Sequence, residues 1–196
     1  MHFRNLGDIV KTLQLQYRQK MRLEDIGAKP AAPVGYLADM AFVLEEAPYH
    51  ASEAAMCENL IYPSLKEAWK KYIDSLAIWT EAKVGNFQPK YLISKRSEYG
   101  KIVLDTPFLG VVVPAFEGFG QAWTSCVQQL YDLQQLNQNP TLSIYGIVTN
   151  GELWEFAKLE QNVLTYYSQR YDIVETEKLF QGLVNVLGLC KKGISV

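Results

Sequence analysis

The stretch FLGVVVPAFEGFGQAW, from Phe108 to Trp123, constrains the fold of this chain more than any other part of its sequence. Its first half is rich in branched apolar residues, which predicts a strand, and Pro114 marks the end of that strand. The spacing that follows predicts a helix. No side chain from Phe108 to Phe116 carries a charge, so this strand-to-helix corner lacks ionisable groups until Glu117.

Helical spacing of apolar residues predicts three long helices, over residues 52–76, 119–137 and 175–192. Ser52 is a suitable N-cap for the first of them. Pro63 lies inside that helix and predicts either a kink or a restart, because proline lacks the amide hydrogen that a helix interior needs.

Runs of branched and aromatic residues predict the strands. LAIWT, KYLIS and IVL followed by FLGVVV precede the second helix, and VLTYYSQRY comes late in the chain. LSIYGIVTNGELWEFAKLE predicts a hairpin around Asn150-Gly151, a dipeptide suited to a type I′ turn. The order helix, three strands, helix, further strands and helix favours an α/β fold with a central mixed sheet flanked by helices.

The N-terminal part is less regular. Residues 3–19 have helical spacing, GAKPAAPVGY predicts a loop or covering arm, and residues 41–45 fit either a strand or a helix. A chain of 196 residues suits one domain with a sizeable core. We expect a single domain over 1–196, divided into an N-terminal helix and covering arm (1–50), a core (51–170) and a C-terminal helix (171–196).

Composition excludes several classes of function. The net charge of −2 does not indicate affinity for nucleic acids or membranes. No apolar run approaches the roughly 20 residues of a membrane span, and the N-terminus lacks the apolar segment of a signal peptide. Cys57, Cys126 and Cys190 form no C-x-x-C pair, so neither a disulfide framework nor a zinc site is supported. A cytoplasmic protein without a membrane partner is the expectation.

Few catalytic patterns remain. The histidines are His2 and His50, and His50 lies in a loop-like stretch with no local partner for nucleophilic catalysis. The phosphate-binding, dinucleotide-binding and nucleophile-elbow motifs do not occur. Asp74, Glu81 and Lys83 could hold Mg²⁺ and orient a water molecule for phosphodiester cleavage, although their spacing arises easily by chance.

Several segments resemble the PD-(D/E)XK nuclease superfamily, in particular the N-terminal nuclease domains of type I restriction R subunits. The resemblance runs from about Glu58 to Lys158. It is carried by ENLIYPSLKEAWKKY, NFQPKYLIS, PFLGVVVPAFEGFGQAWTSCVQQLYDLQQLN and IYGIVTNGELWEF. The resemblance implies a restriction-endonuclease-like αβββαβ core, here with N- and C-terminal helical additions.

The family's catalytic motifs are degenerate in this chain. Glu58 matches the family's glutamate on the first helix, but Lys90 stands where the Pro-Asp-Tyr-Leu motif has its metal-binding acid. The Glu-x-Lys motif at the end of the third strand falls on residues 114–116, or one residue earlier on 113–115. Neither register contains an acid or a lysine. The former site positions are therefore Glu58, Lys90, Pro114 and Phe116.

A metal site needs oxygen ligands, and proton transfer in this family needs the lysine. The resemblance therefore implies a catalytically inactive nuclease-fold protein without a cofactor, which acts as a binding or interaction module. The expected partner is a protein or a second copy of the chain. A nucleic acid is less favoured, because phosphate binding needs clustered lysine and arginine.

Two alternatives stay open. One is an active Mg²⁺-dependent endonuclease with a rearranged carboxylate site, and the other is a protein whose fold alone is maintained. Asp105 is expected at the far end of the third strand and Glu117 at the turn that follows it. The rearranged site would use either Asp74, Glu81 and Lys83, or Glu58, Asp105 and Glu117.

Overall fold

A seven-stranded mixed sheet forms the centre of the computed structural model, which describes residues 5–27 and 29–194. The strands are β1 (Gln16–Lys20), β2 (Leu76–Thr80), β3 (Tyr91–Lys95), β4 (Phe108–Pro114), β5 (Ile144–Thr149), β6 (Leu153–Glu160) and β7 (Val163–Asp172). Their order across the sheet is β1-β7-β6-β5-β4-β3-β2. The β4–β5 and β1–β7 pairs are parallel, and the other neighbouring pairs are antiparallel.

Helices cover both faces of this sheet, which confirms the predicted α/β class with a central mixed sheet. One face packs against α1 (Leu6–Thr12) and α5 (Phe119–Asn137). The other face packs against α2 (Val34–Glu46), α3 (Glu53–Met56), α4 (Tyr62–Trp69) and α6 (Thr176–Gly193). We call these the α5 face and the α6 face.

The central position of β4 explains its uncharged sequence. Val111 lies in the hydrophobic core on the α5 face, and Val112 lies in the core on the α6 face. Residues 108–113 are all buried. Because successive side chains of a strand point to opposite faces, a strand covered on both sides needs apolar residues at every position.

The predicted long helices are present. Ser52 caps the first, accepting a hydrogen bond from the Ala55 amide at 3.0 Å. The backbone stays helical through a π-helical turn over Cys57–Ile61 into α4, where Pro63 occupies the first turn. Of the two predicted outcomes, a restart of the helix is not found. The predictions for α5 and α6 are confirmed within about one residue.

The N-terminal prediction is wrong in part. The helix expected over residues 3–19 ends at Thr12, and Gln14 has a left-handed φ of 53° that turns the chain into β1. β1 pairs in parallel with β7, so hydrogen bonds between the two strands outweigh the helical preference that the spacing of apolar residues indicates. Residues 3 and 4 of that prediction lie outside the described residues. The predicted arm ends at Pro33, and residues 41–45 belong to α2.

Two local predictions are also wrong. IVL (102–104) is part of the loop between β3 and β4 rather than a strand. The β5–β6 hairpin exists, but its turn is not type I′, because only Gly151 has a positive φ (84°). The Asn150 side chain instead accepts hydrogen bonds from the amides of Glu152 and Leu153, two and three residues further along the chain.

The φ values that a type I′ turn requires occur at the next hairpin, between β6 and β7. Gln161 and Asn162 have φ of 50° and 60° there.

Candidate functional site

The corner at the end of β4 borders an open cleft of about 170 Å³, between α3 and the first turn of α5. We call it the corner cleft, and its polar and exposed walls are Glu53, Pro114, Phe116, Glu117 and Gln121. Gly118 precedes α5 with a φ of 113°, which lets the chain reverse there without a clash. The tight turn into the helix is closed by the Gly118 amide, which donates to the Ala115 carbonyl at 3.1 Å, and Phe119 and Gly120 already belong to α5.

The residues of the two registers expected for a Glu-x-Lys motif differ in exposure. Pro114 and Phe116 line the corner cleft, and Phe116 is 50% exposed. In the other register the motif positions would be Val113 and Ala115, which belong to the buried core of the α5 face, although Val113 also lines the cleft. The register over residues 114–116 therefore places a partly buried proline and a half-exposed phenylalanine at the motif positions, both on the wall of the cleft.

Lys90 lies at the same edge of the sheet as the corner. It directly precedes β3, whose first residue Tyr91 pairs with Val112 of β4. Its Nζ atom is 2.8 Å from Oε1 of Glu81, which follows β2. The hydrogen bond to Glu81 raises the pKa of Lys90, burial opposes it, and the nearby Cys57, Glu81 and Glu53 add to the increase. Lys90 is thus a cation already held by a carboxylate.

Glu58 is exposed on the π-helical turn and does not line the corner cleft. Besides Glu117, the carboxylate that lines the cleft is that of Glu53, one helical turn before the buried Cys57. Residues three to four positions apart share a helix face, so the inward position of Cys57 indicates where Glu53 points. Sequence reasoning missed Glu53 because the resemblance starts after it.

The structure does not bring together either alternative metal set. Asp74 precedes β2 and Glu81 follows it, so the five residues of the strand separate them by about 16 Å. Asp105 precedes β4 and Glu117 follows it, across seven residues and about 23 Å. Within residues 5–27 and 29–194, no three His, Cys, Asp or Glu side chains are grouped to hold a metal ion.

The other nucleophile candidates have no catalytic surroundings. His50 is exposed, packs on the Tyr49 ring and lies 3.5 Å from Glu152. His2 lies outside the described residues. The three cysteines are buried free thiols, and burial raises the pKa of Cys126 and of Cys190 well above the ordinary thiol range. A thiol that stays protonated is a weak nucleophile.

A second charged centre was missed by sequence reasoning. Glu155 lies at a β-bulge of β6, and its side chain is 2% exposed. Its Oε2 accepts a hydrogen bond from Nε1 of Trp123 at 2.5 Å, and its Oε1 is 2.6 Å from Nε of Arg170. The Tyr166 ring meets the Trp123 ring edge-on at 5.4 Å, and the charge of Glu155 acts on the Tyr166 hydroxyl. We call these four side chains the Glu155 network.

The local pattern explains why Glu155 was missed. In LWEF the glutamate alternates with two large apolar residues, which is typical of a strand with one face in water. The α5 helix covers that face, so the glutamate is buried instead. Burial is the main cause that raises the pKa of Tyr166, and the charge of Glu155 adds to it.

Comparison with protein-family models, with curated proteins and with solved structures gives no match to this chain. Among the described residues, no helix is long and apolar enough to cross a membrane. The chemistry of the corner cleft therefore rests on its own residues. These are two carboxylates, a half-exposed aromatic ring and, beside them, a lysine paired with a carboxylate.

Proposed function

We propose that this protein is a catalytically inactive member of the PD-(D/E)XK nuclease fold and acts as a binding module for another protein. The observation that carries the proposal is the pair Pro114 and Phe116, which lines the corner cleft at the two positions that the resemblance assigns to the Glu-x-Lys motif. Neither side chain can ligate Mg²⁺ or transfer a proton. The order helix, three strands, helix and strand over residues 53–149 supports the fold assignment.

The charge distribution favours a protein over a nucleic acid as the partner. No lysine or arginine occurs from residue 102 to residue 157, a range that includes all of α5. Glu53 and Glu117 line the corner cleft, and Lys90 is paired with Glu81. Phosphate groups would meet carboxylates there, whereas a basic or apolar side chain of a protein partner would be attracted.

Restoring the motif tests the fold assignment and the loss of activity together. The variant Lys90→Asp/Pro114→Glu/Phe116→Lys places two carboxylates and a lysine at the positions that the resemblance assigns. We expect it to bind Mn²⁺ in calorimetry, whereas the wild-type protein binds none and cleaves neither DNA nor RNA. The matched control Lys90→Asn/Pro114→Gln/Phe116→Lys has the same shapes without the carboxylates and should bind no metal.

Two results would contradict this proposal. Failure of the folded restored variant to bind metal would argue against a nuclease-like arrangement at this edge. Cleavage by the wild-type protein in Mg²⁺, abolished by Glu58→Ala or Glu53→Ala, would support the active endonuclease instead.

A further inference from the structure

A second cleft, of about 180 Å³, lies between the N-terminal arm and α6. We call it the arm cleft. Gln169 and Tyr171 of β7 form its floor, three strands away from β4. Cationic side chains come from both of its sides, with Arg22 and Lys29 on the arm and Lys178 on α6.

Hydrogen bonds fix the arm on either side of this cleft. The Asn185 side chain on α6 accepts from the Ile26 amide at 2.9 Å and donates to the Glu24 carbonyl at 2.8 Å. Further along the arm, the Glu177 carboxylate accepts from the Ala32 amide at 3.1 Å. These contacts hold the cations of the arm opposite the helix, so the cleft is formed before any ligand arrives.

A close approach of helix and strand shapes the floor. A Cβ atom at Gly182 would lie 2.7 Å from Cε1 of Tyr171, so only glycine lets α6 pack this tightly on the ring. Tyr171 therefore lines the cleft with a partly buried ring that packs against α6 and Phe156.

The charges in the arm cleft are unbalanced. Among the residues that the structure describes, Arg22 makes no hydrogen bond and no ion pair. Lys29 lies 3.7 Å from Asp25, in an exposed ion pair of the kind worth about 0–1 kcal/mol. Of the described residues that line the cleft, Asp25 alone carries a carboxylate, and it already accepts a hydrogen bond from the Gly27 amide at 2.8 Å.

The third cation, Lys178, is also available. It pairs with Glu175, which precedes its helix and does not line the cleft, and both side chains are exposed. Lys29 and Lys178 are thus each in an exposed ion pair, and Arg22 is the cation of the cleft without a partner among the described residues. A small anion can exchange with such surface pairs at little free-energy cost.

We propose that the arm cleft binds a small phosphate-type oxyanion, either free phosphate or a phosphate monoester. Arg22 supplies a planar pair of donors to two oxygens, and Lys29 and Lys178 reach the remaining oxygens. A tetrahedral dianion matches donors that converge from several directions, whereas a carboxylate has oxygens in one plane. The Tyr171 ring packs against the substituent of a monoester. This site is separate from the corner cleft and independent of the proposed function.

The test is an NMR and calorimetric titration of the full chain at constant ionic strength with inorganic phosphate, phenyl phosphate and acetate. We expect saturable binding of the two phosphates, with shifts at the Arg22 Nε and the Gln169 side-chain amide. Arg22→Ala should weaken binding by roughly tenfold or more, and Arg22→Lys should recover only part of the loss. The matched control Arg18→Ala removes the same charge from β1, outside the cleft, and should bind like wild type.

Thermal unfolding of each variant checks that the fold is intact. Equal phosphate affinity in wild type and Arg22→Ala would overturn the proposal, and so would the absence of saturable binding. Acetate binding as tightly as phosphate would show that the cleft does not select a tetrahedral anion. Binding of single-stranded DNA without binding of phosphate would contradict the proposal and indicate a polymeric ligand instead.

Discussion

The corner cleft and the Glu155 network lie at the same end of the sheet but differ in how deeply their charged groups are buried. Val113 of β4 pairs with Val148 of β5, which pairs with Glu155 of β6, so the two centres share one row of residues. At the corner, Lys90 and Glu81 meet near the surface. In the network, a buried carboxylate meets Arg170, whose side chain is 59% exposed.

Burial decides what each centre contributes. An ion pair near solvent gains little, because water stabilises the separated charges almost equally well. A buried carboxylate has lost its water and depends on every donor that replaces it. Substitutions at the corner, where the resemblance places the catalytic motif, should therefore change the stability little. The fold depends more on the Glu155 network.

The largest effect should come from Arg170→Ala. This variant leaves the Glu155 carboxylate buried without its counter-charge, so we expect the free energy of unfolding to fall by about 2–4 kcal/mol. Lys90→Met, which removes the corner cation but keeps its aliphatic stem, should cost less than about 1 kcal/mol. Urea denaturation at pH 7 measures both. Equal costs would contradict the distinction between the two centres.

A middle-sized effect should come from Trp123→Phe. The phenylalanine keeps most of the ring but removes the N–H that donates to Glu155, so we expect a loss of about 1–3 kcal/mol. Trp79→Phe is the matched control, because the Trp79 indole donates to the neutral Ser94 hydroxyl at 3.1 Å. It should cost about 1 kcal/mol. If the control costs as much as Trp123→Phe, the charge of Glu155 does not strengthen its hydrogen bond.

Long periodic or uniformly apolar segments could be predicted from the sequence. The β4 run and the α5 helix each have a pattern set by the elements that cover them. The β1 strand could not be found this way. Its residues QYRQK are all exposed, so no hydrophobic alternation marks it, and pairing with β7 defines it instead.

Only those residues of the site whose positions follow from the order and pairing of the strands could be predicted. Lys90 and Pro114 reach one edge because antiparallel pairing of β3 with β4 requires it. Glu53 and Glu155 were missed because their surroundings come from other elements, α5 in the case of Glu155. Local alternation cannot show that both faces of a strand are covered.

The smallest effect, and the sharpest comparison, is the salt and pH dependence of the two ion pairs. The screening length falls to about 3 Å at 1 M salt, so the cost of Lys90→Met should vanish there, whereas most of the cost of Arg170→Ala should remain.

The hydrogen bond to Glu81 raises the pKa of Lys90, so the contribution of the lysine is complete at neutral pH. It should disappear as the pH rises beyond the ordinary lysine range and through the raised pKa of the folded state. Denaturation of both variants across salt and pH measures this. A Lys90→Met cost that persists in 1 M salt would mean that the corner pair is as shielded from water as the network.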